Sequence, residues 1–148
     1  MRITRYTDYA LRVLMYLGLK QQEWVTIREI ADHYGISKNH LMKVVQQLGA
    51  DGYLQSVPGK GGGVRLQAAA ERINIGRLVR RFEQDSALVD CFASSSNCVI
   101  SPACQLKQAL ARALEAFFSV LDEYTLADLL PGSKRPQLIE LLQITEVS

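Results

Sequence analysis

Three cysteines, Cys91, Cys98 and Cys104, crowd into 14 residues, and the chain has no others. A disulfide framework would use an even number spread along the chain, so three clustered thiols read better as metal ligands or redox groups in a reducing compartment. Their spacing, Cys91-x6-Cys98-x5-Cys104, is not that of a zinc finger, where ligands come in pairs two to four residues apart. The only histidines, His33 and His40, lie far upstream. Wide spacing on the Ser-rich stretch Phe92 to Asn97 suits an iron–sulfur cluster, whose corners must be reached by successive thiolates. A thiol redox switch, a zinc site and inert cysteines stay open as alternatives. Three thiolates would leave one iron to a carboxylate, water or other labile donor, and so open to a small diatomic such as nitric oxide. Ser101-Pro102 reads as the start of a long helix, which would put Cys104 in its first turn, where the helix dipole favours a thiolate.

That helix is expected to run to about Tyr124. Leu106, Leu110, Ala113, Phe117 and Leu121 form one apolar stripe, and Leu114, Phe118 and Val120 a second. A helix apolar over so much of its circumference commonly buries one face on its own domain and the other on a partner, the alternative being an intramolecular core helix. A shorter helix over Ile75 to Glu83 precedes the cysteines. One further turn, capped by Thr125, follows the long helix, and Leu138 to Ile144 have the pattern of a segment that packs.

The N-terminal part has a different character. Residues 1–66 carry nine Lys/Arg against five Asp/Glu, and residues 67–148 eight against ten. A basic half joined to a slightly acidic half suggests a polyanion-binding module with a separate second task. Residues 4–19 read as a helix. Thr26 and Glu29 form a capping-box signature for the next, which Gly35 stops. Ser37 then caps a third helix whose apolar face is Leu41, Val44, Val45 and Leu48. Two helices joined by Gly-Ile-Ser make a helix-turn-helix. Tyr53 to Val57 and Val64 to Leu66 flank Pro58-Gly59-Lys60-Gly61-Gly62-Gly63, a hairpin with a basic glycine-rich tip. The glycines fit neither a phosphate-binding P-loop nor a dinucleotide fingerprint, because Leu54, Gly61 and Val64 stand where those motifs need Gly, Ser or Thr, and Gly.

The expected fold is therefore mainly α, a winged helix-turn-helix with a small β-hairpin wing and a long C-terminal dimerisation helix. Residues 1–66 would be the DNA-binding domain. Residues 67–148 would hold the cluster-binding loop (91–104), the dimerisation helix (102–124) and a tail. The helix beginning at Ser37 would enter the major groove with His40 facing DNA. Lys38 and Lys43 would meet phosphates or guanine edges, while Asn39 and Gln46 have the groups to pair with adenine. Lys60 and Arg65 on the wing would meet phosphates or a narrow minor groove. No acid–base pair or cofactor loop supports an enzyme. No apolar run approaches the length of a membrane span, and Arg2, Arg5, Asp8 and Arg12 interrupt any signal-peptide core, so a cytoplasmic protein is expected.

Several stretches carry a family resemblance. Tyr6-Thr7-Asp8-Tyr9-Ala10-Leu11-Arg12, Lys38-Asn39-His40-Leu41-Met42-Lys43 and Gly59-Lys60-Gly61-Gly62-Gly63-Val64-Arg65-Leu66 resemble a family of winged-helix, iron–sulfur-containing bacterial transcription regulators. Ile100-Ser101-Pro102-Ala103-Cys104-Gln105-Leu106-Lys107 and Tyr124-Thr125-Leu126-Ala127-Asp128-Leu129 are similar to its nitric-oxide-sensitive repressors. Its cluster-biogenesis regulators have instead a histidine ligand three residues after the third cysteine, where this chain has Lys107. The resemblance implies a cluster on Cys91, Cys98 and Cys104, 4Fe-4S in preference to 2Fe-2S. It also implies a homodimer on a palindromic operator, and loss of DNA binding when nitric oxide attacks. Asp8 matches an aspartate that, in some relatives, completes the cluster from the other subunit. Six residues between the first two cysteines is longer than in some of them.

Overall fold

The computed structural model describes residues 2–84 and 98–144. Its elements run α1 (Arg5–Lys20), α2 (Ile27–Tyr34), α3 (Lys38–Ala50), β1 (Leu54–Val57), β2 (Gly63–Leu66), α4 (Ile75–Phe82), α5 (Gln105–Leu121), α6 (Leu126–Leu129) and α7 (Arg135–Leu141). The mainly helical winged helix-turn-helix expected from the sequence is what forms.

Helix α1 begins at Thr4, whose side chain accepts from the Thr7 amide. Glu83, just past α4, closes that end: its Oε1 accepts from the Thr4 amide at 2.7 Å and the Thr7 hydroxyl at 2.6 Å. Helix α2 starts as expected, with Thr26 Oγ1 accepting from the Glu29 amide at 3.1 Å. The reciprocal half of the capping box does not form, because Glu29 is drawn elsewhere. Its Oε2 accepts from the buried Tyr16 hydroxyl at 2.6 Å and lies 3.5 Å from Lys20 Nζ. Burial, followed by the Glu29 hydrogen bond, pushes the Tyr16 phenol far above its ordinary pKa, so it stays a donor. Gly35, at φ 68°, ends α2 in the left-handed region that glycine tolerates. The turn delivers Leu41, Val44, Val45 and Leu48 of α3 into the core.

The hairpin pairs Leu54 with Leu66 and Val57 with Gly63 in antiparallel register. A third segment joins it: Val25 and Val64 exchange hydrogen bonds of 2.9 and 2.7 Å. Gly63 makes this approach feasible, since at φ 147° a Cβ would stand 2.4 Å from the Val25 carbonyl oxygen.

Residues on both sides of position 66 share one buried cluster, from Ala10, Val13 and Leu17 through Leu48 and Val64 to Ile73, Leu78, Leu126 and Ile144. The C-terminal segment packs, as its pattern foretold. Arg135 donates to the carbonyls of Gly18 and Leu19 at the end of α1, 3.0 Å each. His33 Nδ1 is hydrogen-bonded to the Leu142 carbonyl. Among the described residues no helix is long and apolar enough to cross a membrane.

Candidate nucleic-acid interface and cysteine centre

Burying Leu41, Val44, Val45 and Leu48 turns the opposite face of α3 outward. Ser37, Lys38, Asn39, His40, Lys43 and Gln46 are all exposed, so the structure brings the expected readers onto one element. The Ser37 side chain makes no cap hydrogen bond to α3. His40 leans toward α1, its ring 6.4 Å from Tyr9, and shares with Arg5, Tyr6 and Lys43 a groove of about 360 Å3. The Tyr6 hydroxyl donates to the Lys43 carbonyl at 3.1 Å, tying α1 to the middle of α3.

A second groove, about 560 Å3, runs between the starts of α2 and α3 and the wing, lined by Thr26, Arg28, Lys38, Ser56, Gly59 and Gly62 among others. Sequence reasoning missed Arg28. It sits in the first turn of α2 and lines this groove, and only the fold shows that it shares the groove with the wing. At the wing tip Lys60 stands between Gly59 and Gly61, both at positive φ. Arg65 behaves differently from Lys60. Its guanidinium lies 4.3 Å from the centre of the Trp24 ring, and its Nε donates to Gln55 Oε1 at 3.2 Å. It is thus braced on the hairpin by Trp24, a second residue the sequence did not single out. Lys60→Ala should weaken binding to every DNA sequence and lower the slope of log K against log salt by about 1, one phosphate contact. An unchanged slope in a salt titration would mean that the tip stays off DNA.

The cysteine centre is corrected in one respect. Ser101 and Pro102 do not start the long helix; they form a separate 3-10 turn, Ser101–Ala103. Cys104, with extended φ −82° and ψ 111°, breaks that turn from α5 and is itself the N-cap. Its Sγ accepts from the Lys107 amide at 3.4 Å. The expected helix 102–124 is therefore Gln105–Leu121, and Cys104 stands at its positive end rather than within its first turn. Cys98 is exposed and Cys104 partly buried. Cys91 lies outside the described residues, and among those described no three His, Cys, Asp or Glu side chains gather as a metal site. Asp8 is engaged by Arg12, with Nε to Oδ1 at 3.3 Å and Nη2 to Oδ2 at 3.2 Å.

Of the residues in α5 none is fully buried within the subunit. Phe118 and Leu121 pack on the core, whereas Leu106 is 65% and Val120 55% exposed. The second stripe, expected to be the exposed one, is therefore divided: Phe118 packs on the core and Val120 stays exposed. The outer face of α5 reads Leu106, Leu110, Ala113, Phe117, Val120, alternating steps of four and three.

The chain matches known regulators over most of its length. The HTH-type transcriptional regulator NsrR of Bacillus licheniformis is 52% identical over 132 residues, 88% of this chain and 92% of that protein. NsrR of Bacillus subtilis is 48% identical over 148 residues, 99% of this chain and 100% of that protein. Among solved structures, oxidised CymR of Staphylococcus aureus superposes with a TM-score of 0.67 at 29% identity, covering 87% of this chain and 95% of CymR. IscR of T. potens superposes at 0.72 and 22% identity, over 93% of this chain and 91% of that one, which speaks for the fold alone. The profile of the Rrf2 family, described as an iron-dependent transcriptional regulator, matches residues 3–132. A helix-turn-helix with an exposed polar reading face and a basic wing is what such regulators require, and the chain belongs to the Rrf2 family of transcriptional regulators, not to an enzyme family.

Proposed function

We propose that this chain is a cytoplasmic, homodimeric repressor that binds a palindromic operator and releases it when nitric oxide reacts at an iron–sulfur cluster held by Cys91, Cys98 and Cys104. The observation that carries the reading is Cys104 itself. Its sulfur stands as N-cap at the start of a 17-residue helix, with the Lys107 amide hydrogen aimed at it. The exposed turn at Cys98 precedes it by six residues. Two soft sulfur donors so close in the chain suit iron. With Cys91 they would hold a 4Fe-4S cluster, with 2Fe-2S as the alternative. When bound, the cluster supplies an iron with a non-thiolate ligand, the point open to nitric oxide.

The protein side of the mechanism follows from the fold. Each subunit lays α3 in the major groove, with Lys38, Asn39, Lys43 and Gln46 toward base edges and phosphates and Ser37 and His40 at the groove wall. Lys60, Arg65 and Arg28 meet the backbone on either side. The outer face of α5 pairs with its copy. Anaerobic purification with iron and sulfide counting, then nitric oxide titration while operator retention is followed, tests the whole. A colourless protein whose binding follows thiol oxidation would replace the cluster by a disulfide switch.

Asp8 of the partner is the proposed fourth ligand. Its pair with Arg12 is half exposed and contributes only about 0.3–0.5 kcal/mol, so losing the pair is a minor event for stability. Asp8→Ala should therefore melt within a few degrees of the wild-type apoprotein, keep its iron on three cysteines, and show altered absorbance and a changed nitric oxide response. Spectra identical to wild type would remove Asp8 from the site.

A further inference from the structure

Among the described residues, helix α5 is fastened near its C-terminal end. Near its C-terminal end, Arg80 of α4 grips it: Nη1 and Nη2 donate to Glu115 Oε2 and Oε1 at 3.2 and 3.0 Å, and Nη2 also donates to Asp122 Oδ2 at 2.9 Å. The same guanidinium lies 4.8 Å from the centre of the Phe118 ring. Beside it Asn74 Nδ2 donates to the Asp122 carbonyl at 2.8 Å, and Ile75 N to the Tyr124 carbonyl at 2.9 Å. Gly76 lets the helices touch, since a Cβ there would stand 2.6 Å from the Asp122 backbone nitrogen. The other end carries Cys104. Between them Leu106 is exposed, and the α5 residues packed on the core are Phe118 and Leu121. Among the described residues, the polar grip on α5 is therefore concentrated at Glu115–Asp122.

We infer that Arg80 is a positioning residue: its three-carboxylate-oxygen clasp sets the angle between the α5 pairing face and the DNA-reading unit, and thereby the half-site spacing the dimer accepts. This rests on the dimer reading above. The clasp is exposed, with Arg80 at 36%, Glu115 at 65% and Asp122 at 43%, so its contribution to stability is small. Its geometry is specific nevertheless. A planar guanidinium donating in parallel to both oxygens of one carboxylate, with a second carboxylate and a ring face also engaged, admits one orientation. Glu115 follows suit: the hydrogen bond from Arg80 holds its carboxyl below the usual carboxylate range. From Glu115 to Cys104 is about 16 Å of helix, so a 5° change at the clasp carries Cys104 by about 1.4 Å. Because α5 pairs with its copy, the same rotation displaces the two reading helices from each other.

The test compares operators whose half-sites are at the preferred spacing with ones a base pair longer or shorter, a change of about 3.4 Å and about 35° of turn. The wild-type protein should discriminate by about tenfold or more, as expected when one half-site's paired contacts are forfeited. Arg80→Met, which keeps the stem over Phe118 but loses the fork, should reduce the discrimination to about twofold, with affinity for an isolated half-site unchanged. Arg80→Lys should fall between. Glu115→Ala, at an exposed position that cannot disturb the core, should move the ratio the same way to a smaller extent. That variant covers the case in which Arg80→Met fails to fold. A wild-type preference kept intact in both Arg80→Met and Glu115→Ala overturns the inference alone. A wild-type protein that sediments as a monomer and ignores spacing overturns the dimer reading, and the inference with it.

Discussion

Cys104→Ser should fold at least as well as the wild-type apoprotein and yet retain less than about a tenth of the wild-type iron and sulfide. The two effects separate because Cys104 caps α5 and, on the proposed reading, also holds iron. As N-cap it accepts from the Lys107 amide through sulfur, a weak acceptor. Serine is a better cap, so α5 keeps its start. As a ligand, however, a serine hydroxyl replaces a thiolate at a site suited to soft donors. Cys104→Ala should lose the iron and also about 0.5–2 kcal/mol of capping. Melting the apoproteins should therefore rank serine above or equal to wild type and alanine below. Full iron content in Cys104→Ser would take this residue out of the ligand set. Cys98→Ser and Cys91→Ser should lose iron without touching α5.

The second large effect concerns the outer face of α5. Leu106→Glu should give a monomer at micromolar concentration, and its affinity for a two-half-site operator should fall by about 10² to 10⁴, the loss of bivalent binding. Leu106 is 65% exposed in the single chain, so its replacement leaves the subunit's own core intact. The stripe from Leu106 to Val120 follows a heptad, the pattern of a helix that pairs with another along a seam. Phe118→Glu looks similar in sequence but would place a carboxylate among core residues beside Arg80 and unfold the subunit instead. Sedimentation velocity of both variants distinguishes them. A Leu106→Glu protein that remains dimeric would move the interface elsewhere.

How much of this was legible in the sequence follows from how local each signal is. The helix-turn-helix could be read because Thr26, Gly35 and the Leu41–Leu48 face act within a turn or two of themselves. The limits appear where a distant residue competes. Glu29 has the spacing of a capping-box partner, but the Tyr16 hydroxyl, buried and without water, claims its carboxylate first. Ser101-Pro102 has a helix-start signature, but Cys104 in extended backbone starts a second element three residues later. The division of α5 into inner and outer faces failed at Phe118, expected on the exposed strip but packed on the core beneath Arg80, because Phe118 and Val120 share a stripe in sequence yet lie about 200° apart around the helix. Arg65 reads from sequence as a wing cation, but that Trp24, far away in sequence, braces it is visible only in the fold. The cysteines announced themselves by type and crowding; Arg80, an ordinary arginine among four in residues 72–81, announced nothing.

The long reach of the core has a consequence for how the protein is made. Helix α1 is synthesised before α6 and α7, but Leu126 and Leu130 cover it at Gly18, and the carbonyls of Gly18 and Leu19 wait for Arg135. The helix-turn-helix is therefore incomplete when residue 66 has been added, and stays so for roughly ten seconds of further synthesis. A nascent chain stalled after the wing presents the reading helix on a scaffold missing its floor. A chain truncated after the wing should therefore hold α1, and the helix-turn-helix packed on it, less firmly than the full chain does.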